Sequence, residues 1–404
     1  MAIGVGGSTE AVELSKLQDM TADVVPISEA EFAARVEKAQ ARMAAEGIAA
    51  IYVNAGTSLY YFTGTRWWPS ERMVGALIPA SGPVTYIAPA FEISTINDYM
   101  CLPGDVRGWQ EHESPYVLFA DMLRGADISG KVGLDEACPF FLTDGLAKAA
   151  PAVDFVDARG VIAHCRMRKS EAEIALMQRA KDMTLEVHKA AAAILREGIT
   201  TTEVTGFIHE AHKREGAPGG SFFCIVLFGE ATAYPHGVKD PQTLKDGDMV
   251  LIDTGCDLLG YKSDITRTYV FGEASEKQRT VWNHEKAAQV RAFEAARLGV
   301  RCGDVDIAAR SLLESFGYGP GYDVPGLPHR TGHGIGLDIH EWPYLVASDD
   351  TPLAAGMCFS NEPMLCLYGE FGVRLEDHFY MTGDGPRWFT EPSHSIDDPF
   401  GLKA

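Results

Sequence analysis

The first 160 residues alternate short apolar runs with an amphipathic pattern typical of helices. Runs that favour strands occur at 49–56, 75–80, 82–90 and 131–136, whereas 29–47 has the spacing of a helix with one apolar face. Such alternation is typical of an α/β domain. The pattern therefore predicts an α/β domain over residues 1–160.

The pattern changes near residue 160, where a strand-like stretch over 154–169 leads into a long amphipathic helix. Ser170 and Glu173 have the spacing of a capping box at the start of that helix. The threonines at 200–202 begin a second helix that ends near residue 216. We expect a domain boundary here and a second domain over residues 161–404.

The second domain groups its strands and helices instead of alternating them, which is typical of an antiparallel α+β fold. Strands are predicted over 222–228, 249–254, 264–271, 357–366 and 372–381, and helices over 276–298 and 303–316. The whole chain is thus predicted to be an α+β protein with a smaller α/β domain in front.

Composition excludes several classes of protein. With a net charge of -21, the 404-residue chain would repel nucleic acid. No apolar run reaches about 18 residues and the N-terminus lacks the features of a signal peptide, so we expect a cytoplasmic protein without a membrane partner. The eight cysteines form no CxxC pair, and we interpret them as reduced core residues.

Two predicted hairpins set acidic side chains face to face. A turn centred between Leu258 and Leu259 places Asp253 directly opposite Asp264. Like charges in facing positions are destabilising unless a cation or a shared proton lies between them. The sequence around both residues is apolar, which argues against two solvated strand faces.

A second hairpin repeats the arrangement. When it is centred on Gly369, Glu362 lies opposite Glu376. Two divalent ions would offset the four negative charges and hold a hydroxide between them. Paired metal ions of this kind activate water and polarise a carbonyl group in hydrolases.

The segment TGHGIGLDIHEWP, residues 331–343, contains three glycines and two histidines. Its GxGxG spacing and the residues around it do not fit a phosphate-binding loop. Glycines beside His333 instead allow close approach of the backbone, and imidazole is a common metal ligand. A ligand set of carboxylates and one histidine suits manganese, cobalt, zinc or iron.

These motifs, in this order, resemble the five-ligand dinuclear site of the pita-bread metallopeptidases, which include methionine aminopeptidase, aminopeptidase P, prolidase and creatinase. The resemblance covers residues 165–385, and the N-terminal domain resembles the creatinase/prolidase type in size and pattern. The resemblance implies a pita-bread fold for the second domain and a homodimer. It also implies two divalent metal ions, with manganese favoured over cobalt, zinc or iron. The implied metal ligands are Asp253, Asp264, His333, Glu362 and Glu376.

The resemblance also implies catalytic roles. Glu362 accepts a proton from the metal-bridging water, and the resulting hydroxide attacks the carbonyl before proline. His236 and His340 correspond to histidines that hold the substrate carbonyl or relay a proton. Arg374, two residues before Glu376, either orients Asp253, meets a substrate carboxylate, or only balances the acidic cluster.

The implied activity is hydrolysis of Xaa-Pro dipeptides, as in prolidase. Four alternatives stay open: aminopeptidase P activity on longer peptides, creatinase-like hydrolysis, a dimethylsulfoniopropionate lyase, and a non-catalytic binding protein. Creatinase-like hydrolysis needs no metal and binding proteins of this fold lack some ligands, so the complete ligand set argues against both.

Four further features of the sequence are candidates for lesser roles. Arg330, or an arginine of the RWWPSER stretch at 66–72, is an alternative ligand for a substrate carboxylate. Trp67 and Trp68 of that stretch form either an aromatic wall over the substrate or a packed loop. Lys262 departs from the family pattern and is expected to pair with an outer carboxylate. The HEAH stretch at 209–212 is interpreted as a helix-surface feature.

Overall fold

The computed structural model describes residues 2–403, which form two compact units. One unit comprises residues 27–166, and the other comprises residues 167–403 together with residues 2–26. Residues 2–26 therefore lie outside the unit in which the predicted range 1–160 places them. Helix α1 (Glu10–Lys16) packs against the helices that follow residue 170, and Leu14 and Leu17 join their apolar core.

The N-terminal unit is a mixed six-stranded sheet with helices, in the strand order β4-β3-β2-β1-β5-β6. Its central strand β1 is antiparallel to β2 and parallel to β5. The strands are β1 (Ile48–Asn54), β2 (Gly75–Pro79), β3 (Thr85–Pro89), β4 (Asp105–Trp109), β5 (Lys131–Leu134) and β6 (Asp154–Asp157). The helices are α2 (Glu29–Glu46), α3 (Thr57–Thr63), α4 (Ile93–Tyr99), α5 (Pro115–Gly125), α6 (Phe140–Ala149) and α7 (Arg159–Arg166).

Helix α7 corrects the prediction of a strand-like stretch over 154–169. Only 154–157 form a strand, and the next segment buries Val161, Ile162 and Cys165 on one side of a helix. The spacing i, i+1, i+4 is that of an apolar helix face.

The second unit contains four long helices and eleven strands in three sheets within its described residues. The helices are α8 (Glu171–Ala193), α9 (Thr201–Arg214), α10 (Glu276–Ala295) and α11 (Cys302–Ser315). The strands are β7 (Ser221–Phe228), β8 (Met249–Leu258), β9 (Tyr261–Lys262), β10 (Ile265–Val270), β11 (Gly332–Gly334), β12 (Glu341–Leu345), β13 (Cys358–Asn361), β14 (Met364–Leu367), β15 (Phe371–Arg374), β16 (Asp377–Thr382) and β17 (Gly385–Trp388). The capping boxes of α8 and α9 are both formed, at Ser170 and at Thr200.

Strand β8 lies between β7 and β10, antiparallel to both, and separates two apolar cores. Val250 and Ile252 join the core that contains residues of α8 and α9, whereas Met249 and Leu251 join the core that contains residues of α10 and α11. Because successive side chains of a strand point to opposite faces, Asp253 shares its face with Met249 and Leu251. The predicted antiparallel α+β arrangement is confirmed.

The predicted strands 357–366 and 372–381 are each divided. β13 and β16 pair within a five-stranded sheet, while β14 and β15 form a separate two-stranded sheet. The first division falls at Glu362 and Pro363, because proline has no N–H for a sheet ladder. Each divided strand thus places a carboxylate, Glu362 or Glu376, between two sheets.

All eight cysteines are free in the described chain, and five of them are buried. Cys101 is exposed, so the interpretation of every cysteine as a core residue is wrong at that position. No helix of residues 2–403 combines the length and the apolar character that crossing a membrane requires.

Candidate metal centre

The first acidic hairpin forms, but with a register different from the predicted one. Its turn is centred between Leu259 and Gly260, both with positive φ, and the observed partner of Asp253 is Thr266. Asp264 lies two residues before Thr266, on the side of the turn. A shift of two positions keeps a side chain on the same face of the sheet. The carboxyl groups of Asp253 and Asp264 therefore still lie close enough for each to affect the pKa of the other.

The second acidic hairpin has the predicted register, centred on Gly369. Met364 pairs with Arg374 in one sheet, and Asn361 pairs with Asp377 in the next. Both pairs are symmetric about residue 369, so Glu362 and Glu376 lie opposite each other as predicted. The two hairpins are joined where the Glu376 N–H donates to the carbonyl oxygen of Thr266, at 3.1 Å.

His333 lies on β11, where the backbone passes very close to its neighbours. A Cβ atom on Gly332 would come within 2.1 Å of the Ser360 carbonyl oxygen, and one on Gly334 within 2.4 Å of the Glu341 carbonyl oxygen. No side chain fits at either position. The glycines of this segment therefore serve close backbone approach beside the histidine.

The imidazole of His333 is oriented as a metal ligand requires. Its Nδ1–H donates to the Gly334 carbonyl oxygen at 3.0 Å, so that Nε2, once it has lost its proton, presents a lone pair to a metal ion. Nε2 lies 3.2 Å from Glu362 Oε1 and 3.6 Å from Asp264 Oδ2. One nitrogen thus faces two carboxylates in a buried position.

Two groups of three donor atoms cluster tightly enough to hold a metal ion. One consists of Asp264, Glu376 and His378, and the other of His333, Glu362 and Glu376, with all donor atoms of a group within 4.8 Å of one another. Glu376 belongs to both. The fifth predicted ligand, Asp253, adjoins the first group through its contact with Asp264.

The electrostatics of the cluster fit bound cations. Burial and the neighbouring carboxylates raise the pKa values of Asp264 and Glu376 well above their ordinary range. Burial also raises the pKa of Asp253, against the effect of Arg374, and its Oδ1 has no hydrogen-bond partner among the described residues. For Glu362 burial acts in the same direction, but the hydrogen bond and charge of His333 hold its pKa below the usual value. Such buried oxygen donors with one imidazole suit a divalent metal.

Arg374 is buried, and each of its guanidinium nitrogens has a partner. Nη2 donates to Asp253, Nε to Thr266 Oγ1 at 3.2 Å, and Nη1 to the Pro235 carbonyl oxygen at 3.0 Å. Of the roles considered for this residue, the contacts favour orientation of Asp253. Every nitrogen of Arg374 already has a protein acceptor, which argues against a role in binding a substrate carboxylate.

Three histidines adjoin the cluster. The His340 ring packs edge-on against His333, with centroids 4.1 Å apart, and desolvation together with His333 lowers its pKa to about 4. His236 is exposed and follows the proline that Arg374 contacts. Its charge affects the pKa values of both His340 and His329, so the three lie near one another.

His329 was not predicted from the sequence. Its Nδ1–H donates to the Arg330 carbonyl oxygen at 2.7 Å, and its buried Nε2 has no partner within residues 2–403. Burial lowers its pKa, with Glu362 acting in the opposite direction. The only sequence signal was its position four residues before His333. His378 was also missed, although it lies only two residues after Glu376.

The remaining predicted features have local partners. Lys262 pairs with Asp257, an outer carboxylate as expected, and lies 4.1 Å over the ring of Phe222. His212 of the HEAH stretch is fully buried between Thr184 and Ser221, so its interpretation as a surface feature is wrong.

The RWWPSER stretch lies in the N-terminal unit. Trp68 is 89% exposed, whereas Trp67 packs against Tyr99. Arg66 covers the ring of Tyr60, and Arg72 pairs with Glu111. A contact of this stretch with substrate stays a prediction.

Comparison with known proteins agrees with this geometry. The pattern of metallopeptidase family M24 matches residues 175–383, and that of the creatinase/prolidase N-terminal domain matches residues 35–168. The chain is 33% identical over 353 residues to the putative dipeptidase YkvY of Bacillus subtilis, which covers 87% of this chain and 96% of that protein.

Two solved structures are similar over nearly their whole length. Dipeptidase PepE from Mycobacterium ulcerans is 34% identical with a TM-score of 0.85, over 92% of this chain and 98% of that one. A prolidase from Thermococcus sibiricus is 30% identical with a TM-score of 0.81, over 89% and 97%. These likenesses confirm the predicted fold class, a creatinase-type domain followed by a pita-bread domain. The chain belongs to metallopeptidase family M24.

Proposed function

We propose that the protein hydrolyses Xaa-Pro dipeptides with the help of two divalent metal ions. The observation that carries this proposal is the pair of buried donor groups that share Glu376, since a shared carboxylate suits two neighbouring ions. The names of the relatives, dipeptidase and prolidase, support a dipeptide substrate with proline.

Metal ions bound there would lower the pKa of a water molecule and polarise a carbonyl group. The chain supplies the other functions. We assign the five metal ligands predicted from the sequence to this site, and Glu362 in addition to proton transfer, because its carboxylate lies in the donor group that also contains His333 and Glu376. His236 and His340 are assigned to the substrate carbonyl oxygen and to the proton that the proline nitrogen must gain.

A dipeptide also requires a cation for its free carboxylate, and we assign Arg330 to this role. It is partly exposed, stacks 4.2 Å over the ring of Tyr344, and its charge acts on His340. Arg374, by contrast, is buried and each of its nitrogens already has a protein acceptor. A planar guanidinium binds a carboxylate through two parallel hydrogen bonds.

Three further points belong to the proposal. Manganese is the preferred metal, with cobalt, zinc or iron as alternatives, because oxygen-rich sites suit these ions. A homodimer and a cytoplasmic location rest on the family resemblance and on the sequence features described first.

A substrate panel tests the proposed specificity. We expect Ala-Pro to be hydrolysed with a kcat/KM at least about tenfold above that of Ala-Pro-Ala or Ala-Ala in the presence of manganese, a preference of about 1.4 kcal/mol. Release of free proline or alanine measures each rate. Faster hydrolysis of Ala-Pro-Ala would identify an aminopeptidase P, and acid release from dimethylsulfoniopropionate without peptide cleavage would identify a lyase.

The variant Arg330→Met extends the same panel. Loss of its charge should raise KM for Ala-Pro but leave KM for an Ala-Pro amide, which has no carboxylate, nearly unchanged. Arg279→Met is the matched control, because Arg279 lies in the same unit and pairs with Asp397 at the surface. Equal KM changes for the acid and the amide would contradict the assignment of Arg330.

A further inference from the structure

We propose that His378 fixes the carboxylate of Glu376 as a hydrogen-bond donor and is not itself a metal ligand. The proposal rests on the metal centre of the proposed function, because Glu376 is the residue common to both donor groups. His378 would then be a positioning residue for that centre.

His378 lies on β16, two residues after Glu376, and is fully buried. Its Nε2 is 3.4 Å from Glu376 Oε1, while Thr266 Oγ1 donates to the other carboxylate oxygen at 2.7 Å. Each carboxylate oxygen of Glu376 therefore has a hydrogen-bonding partner in the protein. These two partners restrict rotation of the carboxylate that two metal ions would share.

The partners of the two ring nitrogens of His378 show whether it donates a hydrogen bond to Glu376 or binds a metal ion. A carboxylate oxygen is an acceptor, so the proton lies on Nε2 when His378 contacts Glu376. Nδ1 then carries a lone pair, and it has no partner among the described residues. As a metal ligand, Nε2 would carry no proton, and Nδ1 would become a buried N–H without an acceptor, which is rare and costly.

His333 shows the opposite arrangement. Its Nδ1–H has a carbonyl acceptor, Gly334 O, so Nε2 can lose its proton to bind a metal without leaving a buried N–H unpaired. Metal-bound histidines almost always donate their second N–H in this way. The difference between the two rings assigns ligation to His333 and positioning to His378, although both lie within reach of the carboxylates.

Outer hydrogen bonds to metal ligands typically contribute 10- to 100-fold to metal affinity or activity. We therefore expect His378→Ala to bind as many manganese ions per chain at saturation as the wild-type chain. Of the two ions, the one that is bound less tightly should lose roughly 10- to 100-fold in affinity. His378→Gln, whose amide can donate to Glu376, should recover most of that affinity. Competition with a chelator measures affinity, and elemental analysis counts the ions.

His212→Ala is the matched control, since His212 is equally buried but contacts Thr184 and Ser221 instead of a carboxylate. Unchanged affinity in His378→Ala, or an equal loss in His212→Ala, would overturn the positioning role. One ion fewer per chain at saturation in both His378 variants would identify a ligand instead. A wild-type chain without bound metal contradicts the proposed function itself, so the two failures are distinguishable.

Discussion

Replacing Glu376 with glutamine is expected to reduce kcat/KM for Ala-Pro by at least about 1,000-fold, or about 4 kcal/mol. The reason is that Glu376 belongs to both donor groups, and metal ions contribute several kcal/mol to such reactions. An amide has nearly the same shape but no charge, so the variant isolates the loss of a shared anionic ligand. Initial rates and the number of bound ions per chain check the result.

Glu370→Gln is the control for this substitution. Glu370 lies beside the turn of the same hairpin and pairs with Lys277 at the surface. Its removal should leave kcat/KM within about twofold, because exposed ion pairs contribute about 1 kcal/mol or less even to stability. Glu376→Gln protein that keeps two bound ions and more than a tenth of the wild-type rate would refute the role of Glu376.

Replacing Arg374 with methionine is expected to destabilise the metal-free protein by about 3 to 5 kcal/mol, because it leaves the buried carboxylate of Asp253 without its cation. Unfolding by urea in the presence of a chelator measures this change. The loss should be smaller with metal bound, since the ions then compensate the same charge. Adding Asp253→Asn should recover part of the stability of the metal-free variant.

Arg279→Met provides the comparison with an exposed ion pair. Arg279 pairs with Asp397 on the surface of the same unit, and its loss should cost less than about 1 kcal/mol. If both variants lose the same stability, or if metal does not reduce the loss in Arg374→Met, then Arg374 does not balance Asp253 in the way that its contacts indicate.

The local pattern of the sequence was sufficient for the second acidic hairpin. Apolar residues are spaced symmetrically about Gly369, whose positive φ suits a turn, and the register followed. The register of the first hairpin differs from the prediction because its turn contains Leu259 with a positive φ, which is uncommon for leucine. The predicted register was wrong by two residues, and a shift by an even number leaves Asp264 on the predicted face of the sheet.

The pattern of apolar and polar residues could not predict which strands share a sheet or which segments pack together across the chain. Nothing in the apolar spacing of 357–366 and 372–381 showed that each segment passes from one sheet to another, because the strands on both sides of each break are almost entirely buried. The return of residues 2–26 to the C-terminal unit was missed for a similar reason, since a short helix carries no signal for its partner. The hairpin patterns indicated the facing carboxylates and the glycine-rich segment indicated His333, but the assignment of all five residues to one ligand set came from the resemblance to a known family.

The contacts of individual polar groups also could not be predicted. His329 and His333 each contact the carbonyl oxygen of the next residue, and His378 contacts the carboxylate of Glu376. These contacts depend on the orientation of single side chains and peptide groups, which the apolar spacing does not encode. Arg374 could be placed near the acidic cluster from its strand position, but the choice between its roles required the contacts of all three nitrogens.

Metal titration of stripped protein tests the central claim most directly. Protein freed of metal by a chelator should hydrolyse Ala-Pro at under about 1% of the restored rate, consistent with the several kcal/mol that metal ions supply. Manganese should restore the rate as it fills the centre, with two ions bound per chain at full activity by elemental analysis. Full hydrolysis by protein that contains no transition metal would contradict the account.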